Sequence, residues 1–229
     1  MPNVIAFTGK KGVGKNYLAG LTSILIEQKK EKIQEIIEFS GNLEKRYEPY
    51  IDSFAFADPI KKFLIEALGV SEEHLYGNDQ MKNSPTKYSW NRMPKWIQEK
   101  FGIYAGSISA RQIMQIFGTE VCREIWGQDV WINAMRRRID KSQAAWILVT
   151  DCRFQDEIDA IKEMNGKVWK INGPQRGDDF AKIDNHSSEK VMDFTTNFDY
   201  TIYNGLEDNP ASLNQKIREA MLTGFELRI

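Results

Sequence analysis

Two groups of residues in this chain have the types and spacing to work on a phosphorylated ligand. The first is Gly9-Lys10-Lys11-Gly12-Val13-Gly14-Lys15, a G-x-x-x-x-G-K pattern lying directly behind the apolar run Val4-Ile5-Ala6-Phe7. Glycines let successive backbone amides converge on phosphate oxygens without Cβ clashes, and a helix beginning there turns its positive dipole end toward the anion. Lys15 adds a mobile charge suited to the β- and γ-phosphates of ATP. The binding loop is expected to comprise Gly9, Lys11, Gly12, Val13, Gly14, Lys15, Asn16 and Tyr17. Position 16 departs from the pattern, which puts there a Ser or Thr whose hydroxyl binds Mg²⁺. An amide oxygen can ligate Mg²⁺ directly or through water, but it is neutral and bulkier. ATP binding should survive Asn16; the rate of turnover is less protected.

The second group is Thr150-Asp151-Cys152-Arg153 with Glu157. Asp151 ends the strongest apolar run of the sequence, and ligands of open α/β sheets bind at the carboxyl ends of strands. An acid there can hold Mg²⁺ through water or accept the proton of an attacking oxygen. Arg153 could place its guanidinium fork over a transferring or acceptor phosphate, with Glu157, four residues on, holding it. The bland alternative is an exposed helix pair worth a few tenths of a kcal/mol.

The elements that must position these groups alternate. Strands are predicted at Val4–Phe7, Ser53–Ala57, Ala144–Val149, Lys167–Ile171 and Tyr200–Tyr203. Helices are predicted at Tyr17–Gln28, Ile60–Leu68 (capped by Asp58, with Pro59 in the first turn), Ala110 to about Trp126 (capped by Ser109), Asp129 to about Lys141, Phe154–Met164 and Ala211–Leu222. Residues 29–50 suggest a strand or short helix, and 77–108 read as loops with a short helix near Trp96. Strands alternating with helices imply a parallel sheet covered on both faces.

The 229 residues carry a formal net charge of −1 and are 41% hydrophobic, enough for one α/β domain with a full core. Near-neutral charge argues against a constitutive nucleic-acid binder, which needs a basic excess to displace counterions. No apolar run approaches the ~20 residues of a bilayer span, and the N-terminus lacks a secretion signal, so a cytoplasmic location is expected. Cys122 and Cys152 have neither metal-ligand nor disulfide spacing and are expected as reduced thiols. Arg136-Arg137-Arg138 reads as a solvated face.

Taken with Phe56-Ala57-Asp58-Pro59-Ile60-Lys61, Arg111 through Glu120, Asp129-Val130-Trp131 and His186-Ser187-Ser188-Glu189, the two groups are similar to segments of the bacteriophage deoxynucleoside monophosphate kinases in order and spacing. The resemblance implies an α/β nucleoside-monophosphate-kinase fold: three layers around a parallel sheet in a single domain, an acceptor-binding insertion at about 59–142 and a lid at about 172–190. It implies ATP as phosphoryl donor, Mg²⁺ held by Asn16 and Asp151, and catalysis by Lys15, Asp151, Arg153, Glu157 and Arg176, the last as a finger from the lid. Asp58, Arg111, Gln115, Gly118, Thr119 and Trp131 are implied at the acceptor. Of these, Arg111 would grip its phosphate, Gln115 and Thr119 would bond base or sugar, and Trp131 would form an apolar wall. Asn204-Gly205 sits where related kinases contact adenine through backbone groups. The family generally has Asp and Thr where this chain has Asn16 and Tyr17. The implied partners are small-molecule nucleotides, with no stable nucleic-acid or membrane binding, for a monomer or homodimer in the cytoplasm (the host's, if phage-encoded). Two other readings stay open: a P-loop kinase for phosphomevalonate or dephospho-coenzyme A, or a catalytically impaired nucleotide-binding protein.

Overall fold

The structure, a computed structural model, describes residues 2–39, 51–176 and 195–225, with no side chains for 32–39. The expected lid beyond Arg176 and the His186-Ser187-Ser188-Glu189 segment lie outside the described residues. The chain divides into two compact units, Met1–Ala55 with Met135–Ile229, and Phe56–Ala134.

The first unit opens with β1 (Asn3–Thr8), α1 (Lys15–Phe39) and β2 (Ile51–Phe54). The second holds α2 (Asp58–Glu66), α3 (Glu72–Tyr76), α4 (Asp79–Asn83), β3 (Pro85–Ser89), α5 (Lys95–Phe101), β4 (Ser107–Ser109), α6 (Ala110–Gln115), a π-helical stretch at Ile116–Arg123 and the single turn α7 (Glu124–Trp126). Next comes α8 (Val130–Lys141), then β5 (Trp146–Cys152), α9 (Gln155–Glu163), β6 (Lys167–Asn172), β7 (Tyr200–Tyr203) and α10 (Pro210–Phe225).

The first unit is built on five parallel strands in the order β2-β5-β1-β6-β7. β1 and β5 read as unbroken apolar runs because both faces of the sheet are covered. Ile5, Phe7, Leu148, Trp169, Ile171 and Ile202 form one core with Leu18, Leu25 and Ile26 of α1 and Ile217, Ala220 and Met221 of α10. Phe7 meets Trp169 edge-on, with ring centroids 5.6 Å apart. Val4 points the other way: a Cβ on Gly166 would touch both Val4 and Ile161, which sets α9 on that face. Three layers result.

Strand order also fixes where a ligand can sit. The connection leaving β1 passes to the β5 side of it, and the connection leaving β5 passes to the β6 side. A crevice therefore opens between the carboxyl ends of β1 and β5, the switch point at which such sheets bind ligands.

Several boundaries differ from expectation. α1 runs eleven residues past Gln28, because Lys29-Lys30-Glu31-Lys32 are good helix formers and no Gly or Pro intervenes. Asp58 lies inside the first turn of α2 and does not cap it; Ala57 takes the cap position without a side-chain bond. Ser109 does cap α6, its Oγ accepting from the Gln112 amide at 3.2 Å while Gln112 Oε1 accepts from the Ser109 amide at 2.9 Å. The helix does not continue as a regular α-helix to Trp126: it widens into π turns from Ile116. Trp131 Nε1 donates to the Gly118 carbonyl at 2.8 Å, taking an acceptor within that stretch. In 77–108 the short helix containing Trp96 is α5, but β3 and β4 also pair as an antiparallel ribbon. Trp90 and Ile108, both fully buried, join Leu64, Leu75, Ile97 and Ile113 in the second unit's core.

The turn after β7 is held by charge. The Asp208 carboxylate accepts from the Gly205 amide at 2.7 Å, from Ser212 Oγ at 2.8 Å and, at both of its oxygens, from Lys216 Nζ, which also donates to the Tyr203 carbonyl at 2.8 Å. The Lys216 bond, then Ser212, then the Gly205 amide lower the Asp208 pKa from 3.8 to about 2. A carboxyl whose folded pKa is depressed adds stability above its unfolded pKa and loses it as pH falls through the folded value. Chemical denaturation of the wild type and of Asp208→Asn as pH falls from about 4 to about 2 should show an acid-dependent loss of stability that is smaller in the variant; equal pH dependence would remove Asp208 from the account.

Candidate active site

The phosphate loop follows β1, and each of its carbonyls is taken. Lys15 Nζ donates to the Gly9 and Lys10 carbonyls at 2.7 and 2.8 Å. Gln175 Nε2 donates to the Lys11 carbonyl at 3.0 Å, the Arg176 amide to Gly12 at 3.0 Å and Asn204 Nδ2 to Val13 at 2.9 Å. The Gly14 carbonyl accepts the first bond of α1, from the Leu18 amide at 3.0 Å. In a trans peptide the carbonyl of one residue and the amide of the next point in opposite directions. Holding the carbonyls of Lys11 through Gly14 therefore aims the amides of Gly12 through Lys15 away from those donors, as an anion cradle at a helix N-terminus requires.

Glycine is needed at two of these positions for reasons of space as well as conformation. Gly9 has φ +141°, and a Cβ there would collide with the Ile171 carbonyl. Gly14 has φ +94°, and a Cβ would collide with Asn204 Nδ2. Asn16 and Tyr17, in the first turn of α1, are exposed.

Beside this loop lies the end of β5. Thr8 of β1 pairs with Cys152, whereas Ala6 pairs with Val149, so β5 carries one extra residue at Thr150-Asp151. Such a bulge re-aims a side chain at a strand end. It brings half-buried Asp151 and Arg153 to either side of the residue that pairs with the last position before the loop. Glu157, only 2% exposed, turns back from α9: its Oε2 accepts from the Arg153 amide at 2.8 Å and the Phe154 amide at 3.2 Å. It thus fixes the main chain that carries Arg153. Burial pushes the Cys152 thiol well above its ordinary pKa, with the Glu157 and Asp151 carboxylates adding to the shift, so this cysteine stays protonated and unreactive. Cys122 is likewise raised by burial, and both thiols are free.

A third loop meets the phosphate loop from behind. Asn204, 1% exposed, donates its main-chain amide to the Asn172 carbonyl at 2.7 Å and its side-chain amide to Val13. Arg176 directs its guanidinium to Asn204, with Nη1 on Oδ1 at 3.1 Å and Nη2 on the main-chain carbonyl at 3.2 Å, and to the Gly205 carbonyl. The arginine expected as a finger thus grips the 204–205 loop.

The remaining sequence-predicted residues lie in the second unit. Arg111, in the first turn of α6, places a cation at the unfavourable positive end of a helix. Asp79 offsets this by accepting from Arg111 Nη2 at 2.6 Å, and Asn83 Oδ1 accepts from Nε at 2.9 Å, so the fork is oriented by α4. Gln115, one turn on, is half-buried. In an uninterrupted α-helix Thr119 would follow on the same face, and the π turns from Ile116 shift it. Gly118 is buried, where a Cβ would press on the tip of the Ile60 side chain, and its carbonyl is held by buried Trp131. Asp58 is half-buried in the first turn of α2.

Sequence reasoning missed Asp79, Asn83, Gln175 and Asp208, and gave Asn204 only a main-chain role. No local pattern could have found the pairings: Asp79 meets Arg111 across 32 residues, and Asn204 meets Val13 across 191.

The family model and the sequence relatives point to one family. The family described as deoxynucleotide monophosphate kinase matches residues 77–217, more than half of the chain. A protein of Acanthamoeba polyphaga mimivirus assigned by name to that activity is 26% identical over 206 residues, covering 88% of each chain. The deoxynucleoside-5'-monophosphate kinase of Escherichia phage T5 is 31% identical over 64 residues, 28% of this chain and 26% of that one. Among solved structures, the shikimate kinase of Aquifex aeolicus is similar with a TM-score of 0.41 at 12% identity, covering 95% of both chains. The chain belongs to the deoxynucleotide monophosphate kinase family.

Proposed function

We propose that this kinase transfers the γ-phosphoryl group of ATP to the phosphate of a deoxynucleoside monophosphate, releasing ADP and a deoxynucleoside diphosphate. The observation that carries the mechanism is the Thr8–Cys152 pairing, which sets the phosphate loop after β1 next to Asp151 and Arg153 at the end of β5. In the proposed reaction an acceptor phosphate oxygen attacks the γ-phosphorus, the bond to the β-phosphate oxygen breaks, and the charge spreads over the equatorial oxygens. Little covalent chemistry is asked of the protein, so catalysis rests on positioning and charge neutralisation. The loop amides hold the polyphosphate, Lys15 neutralises the β- and γ-oxygens, and Arg153 covers the transferring group. Glu157 acts on Arg153 through the main chain. In the second unit Arg111 receives the acceptor phosphate, with Asp58, Gln115, Gly118, Thr119 and Trp131 shaping its surroundings. Trp131 contributes there by fixing the Gly118 carbonyl.

Asp151 has the donor chemistry for Mg²⁺, which commonly takes only one or two carboxylates and completes its shell with phosphate oxygens and water. Asn16 offers an amide oxygen to the same ion. Mg²⁺ held by these residues would supply charge neutralisation to the polyphosphate. The family match favours a deoxynucleotide acceptor over phosphomevalonate or dephospho-coenzyme A.

Among the described residues no helix is long and apolar enough to cross a membrane. With the near-neutral charge, we place the enzyme in the cytoplasm, that of the host if phage-encoded, acting on free nucleotides and not on nucleic acid, as a monomer or homodimer.

ADP release with dTMP, dGMP, dCMP and dAMP supplied one at a time tests the proposal; turnover of at least one is expected, and turnover of none with ATP still bound would favour the impaired binding protein. Lys15→Ala and Arg153→Ala should each lower kcat/KM by at least ~10²-fold, the scale of losing one transition-state donor; unchanged kinetics in either would remove that residue from the mechanism. Asn16→Asp, which restores an acid beside the phosphates, should raise kcat and lower the Mg²⁺ concentration needed for half-maximal rate. No change in either would show that position 16 contributes no ligand.

A further inference from the structure

Arg176 stands at a junction of three segments of the first unit. Its main-chain amide holds the Gly12 carbonyl, beside Gln175 on Lys11. Its guanidinium holds Asn204 Oδ1, the Asn204 carbonyl and the Gly205 carbonyl. Asn204 passes the connection on: with Oδ1 accepting from Arg176, its Nδ2 is turned toward Val13 and packs where Gly14 leaves room. Asp208 and Lys216 brace the far side of the same loop. Swinging the guanidinium to a phosphate would release three acceptors, one of them on a side chain only 1% exposed. Hydrogen bonds from a charged donor are stronger than those between neutral groups, and abandoned buried acceptors carry a desolvation cost as well. Release of these acceptors opposes such a swing.

We propose that Arg176 is a positioning residue of the donor site: through Asn204 it pins the 204–205 loop to the back of the phosphate loop, and so sets the affinity for ATP and not the rate of phosphoryl transfer. This rests on the reading of the Gly9–Lys15 loop as the ATP site. The main-chain amides of Asn204 and Gly205 are committed to the Asn172 carbonyl and to Asp208. The fork geometry is essential, because an ammonium is a point charge that cannot span the same three acceptors.

The experiment measures, for the wild type, Arg176→Ala, Arg176→Lys, Asn204→Ala and the Arg176→Ala/Asn204→Ala double variant, the Kd of ATP without acceptor, and then kcat and the KM for ATP at saturating deoxynucleoside monophosphate. Arg176→Ala should raise Kd and KM together by about tenfold or more, with kcat within about threefold of wild type. Asn204→Ala should do the same, and the double variant should be no worse than the poorer single one, because both break one linkage. Arg176→Lys should fail to restore ATP affinity, and it decides the matter if Arg176→Ala does not fold. A fall in kcat on the order of 10²-fold with Kd unchanged would make Arg176 a finger on the transferring group and overturn the proposal, as would full affinity in Arg176→Lys or unchanged Kd in Arg176→Ala. If the wild type binds ATP but phosphorylates no acceptor, the kinase reading fails while the Kd comparison still judges this one. A wild type that binds no ATP overturns both.

Discussion

A loop that is to wrap a polyphosphate must dispose of its own carbonyls, because each one turned inward would repel the anion and displace an amide that should face it. From Gly9 to Gly14 that requirement is met one carbonyl at a time, by Lys15, Gln175, the Arg176 amide, Asn204 and the first turn of α1. Three of these donors come from the segments after β6 and β7, which neighbour β1 on one side of the sheet. The cradle is therefore a property of the parallel sheet and not of the glycine-rich sequence alone. The glycines make the conformation possible, and the neighbouring segments make it the one adopted.

Asn204 concentrates this dependence. A buried asparagine is costly unless both ends of its amide are paired, and here one end faces Arg176 and the other Val13. Leaving a buried polar group unpaired costs about 1–3 kcal/mol, a sizeable share of the about 5–15 kcal/mol by which a domain is stable. The same network explains why Gly14 admits no side chain. On the other flank, Glu157 spends its carboxylate on two main-chain amides next to Arg153, which limits how far that arginine can move. Both flanks of the site are thus set by buried polar side chains acting on the backbone, and the extra residue in β5 supplies the local bend.

Much of this frame was legible in the sequence. Val4–Phe7 and Ala144–Val149 could be read as strands because a doubly covered sheet needs unbroken apolar runs. The glycine loop and Asp151-x-Arg153 announced themselves by falling just behind those two runs. Local signals also gave the capping of α6 by Ser109. What the sequence did not yield depends on distant partners. The ribbon at 85–109 is held by Trp90 and Ile108 packing into a core, not by alternation of its own residues. The π stretch follows a helix with ordinary periodicity, and its Gly118 carbonyl is taken by a tryptophan thirteen residues on. Asp58 showed that a good cap residue followed by proline can still enter the helix itself. The resemblance gives Asn204 only a main-chain role at adenine, and only the fold reveals its side chain as the brace of a loop at the other end of the chain.

The claim beneath all of this is directional: the amides of residues 12–15 face the polyphosphate because the carbonyls of residues 11–14 are held from behind. Amide ¹H and ¹⁵N chemical shifts of the wild-type protein, followed while ATP is added, test it most directly. The account predicts that the amides of Gly12, Val13, Gly14 and Lys15 shift together and saturate with a single dissociation constant. Saturable ATP binding that leaves those four amides unmoved would contradict it.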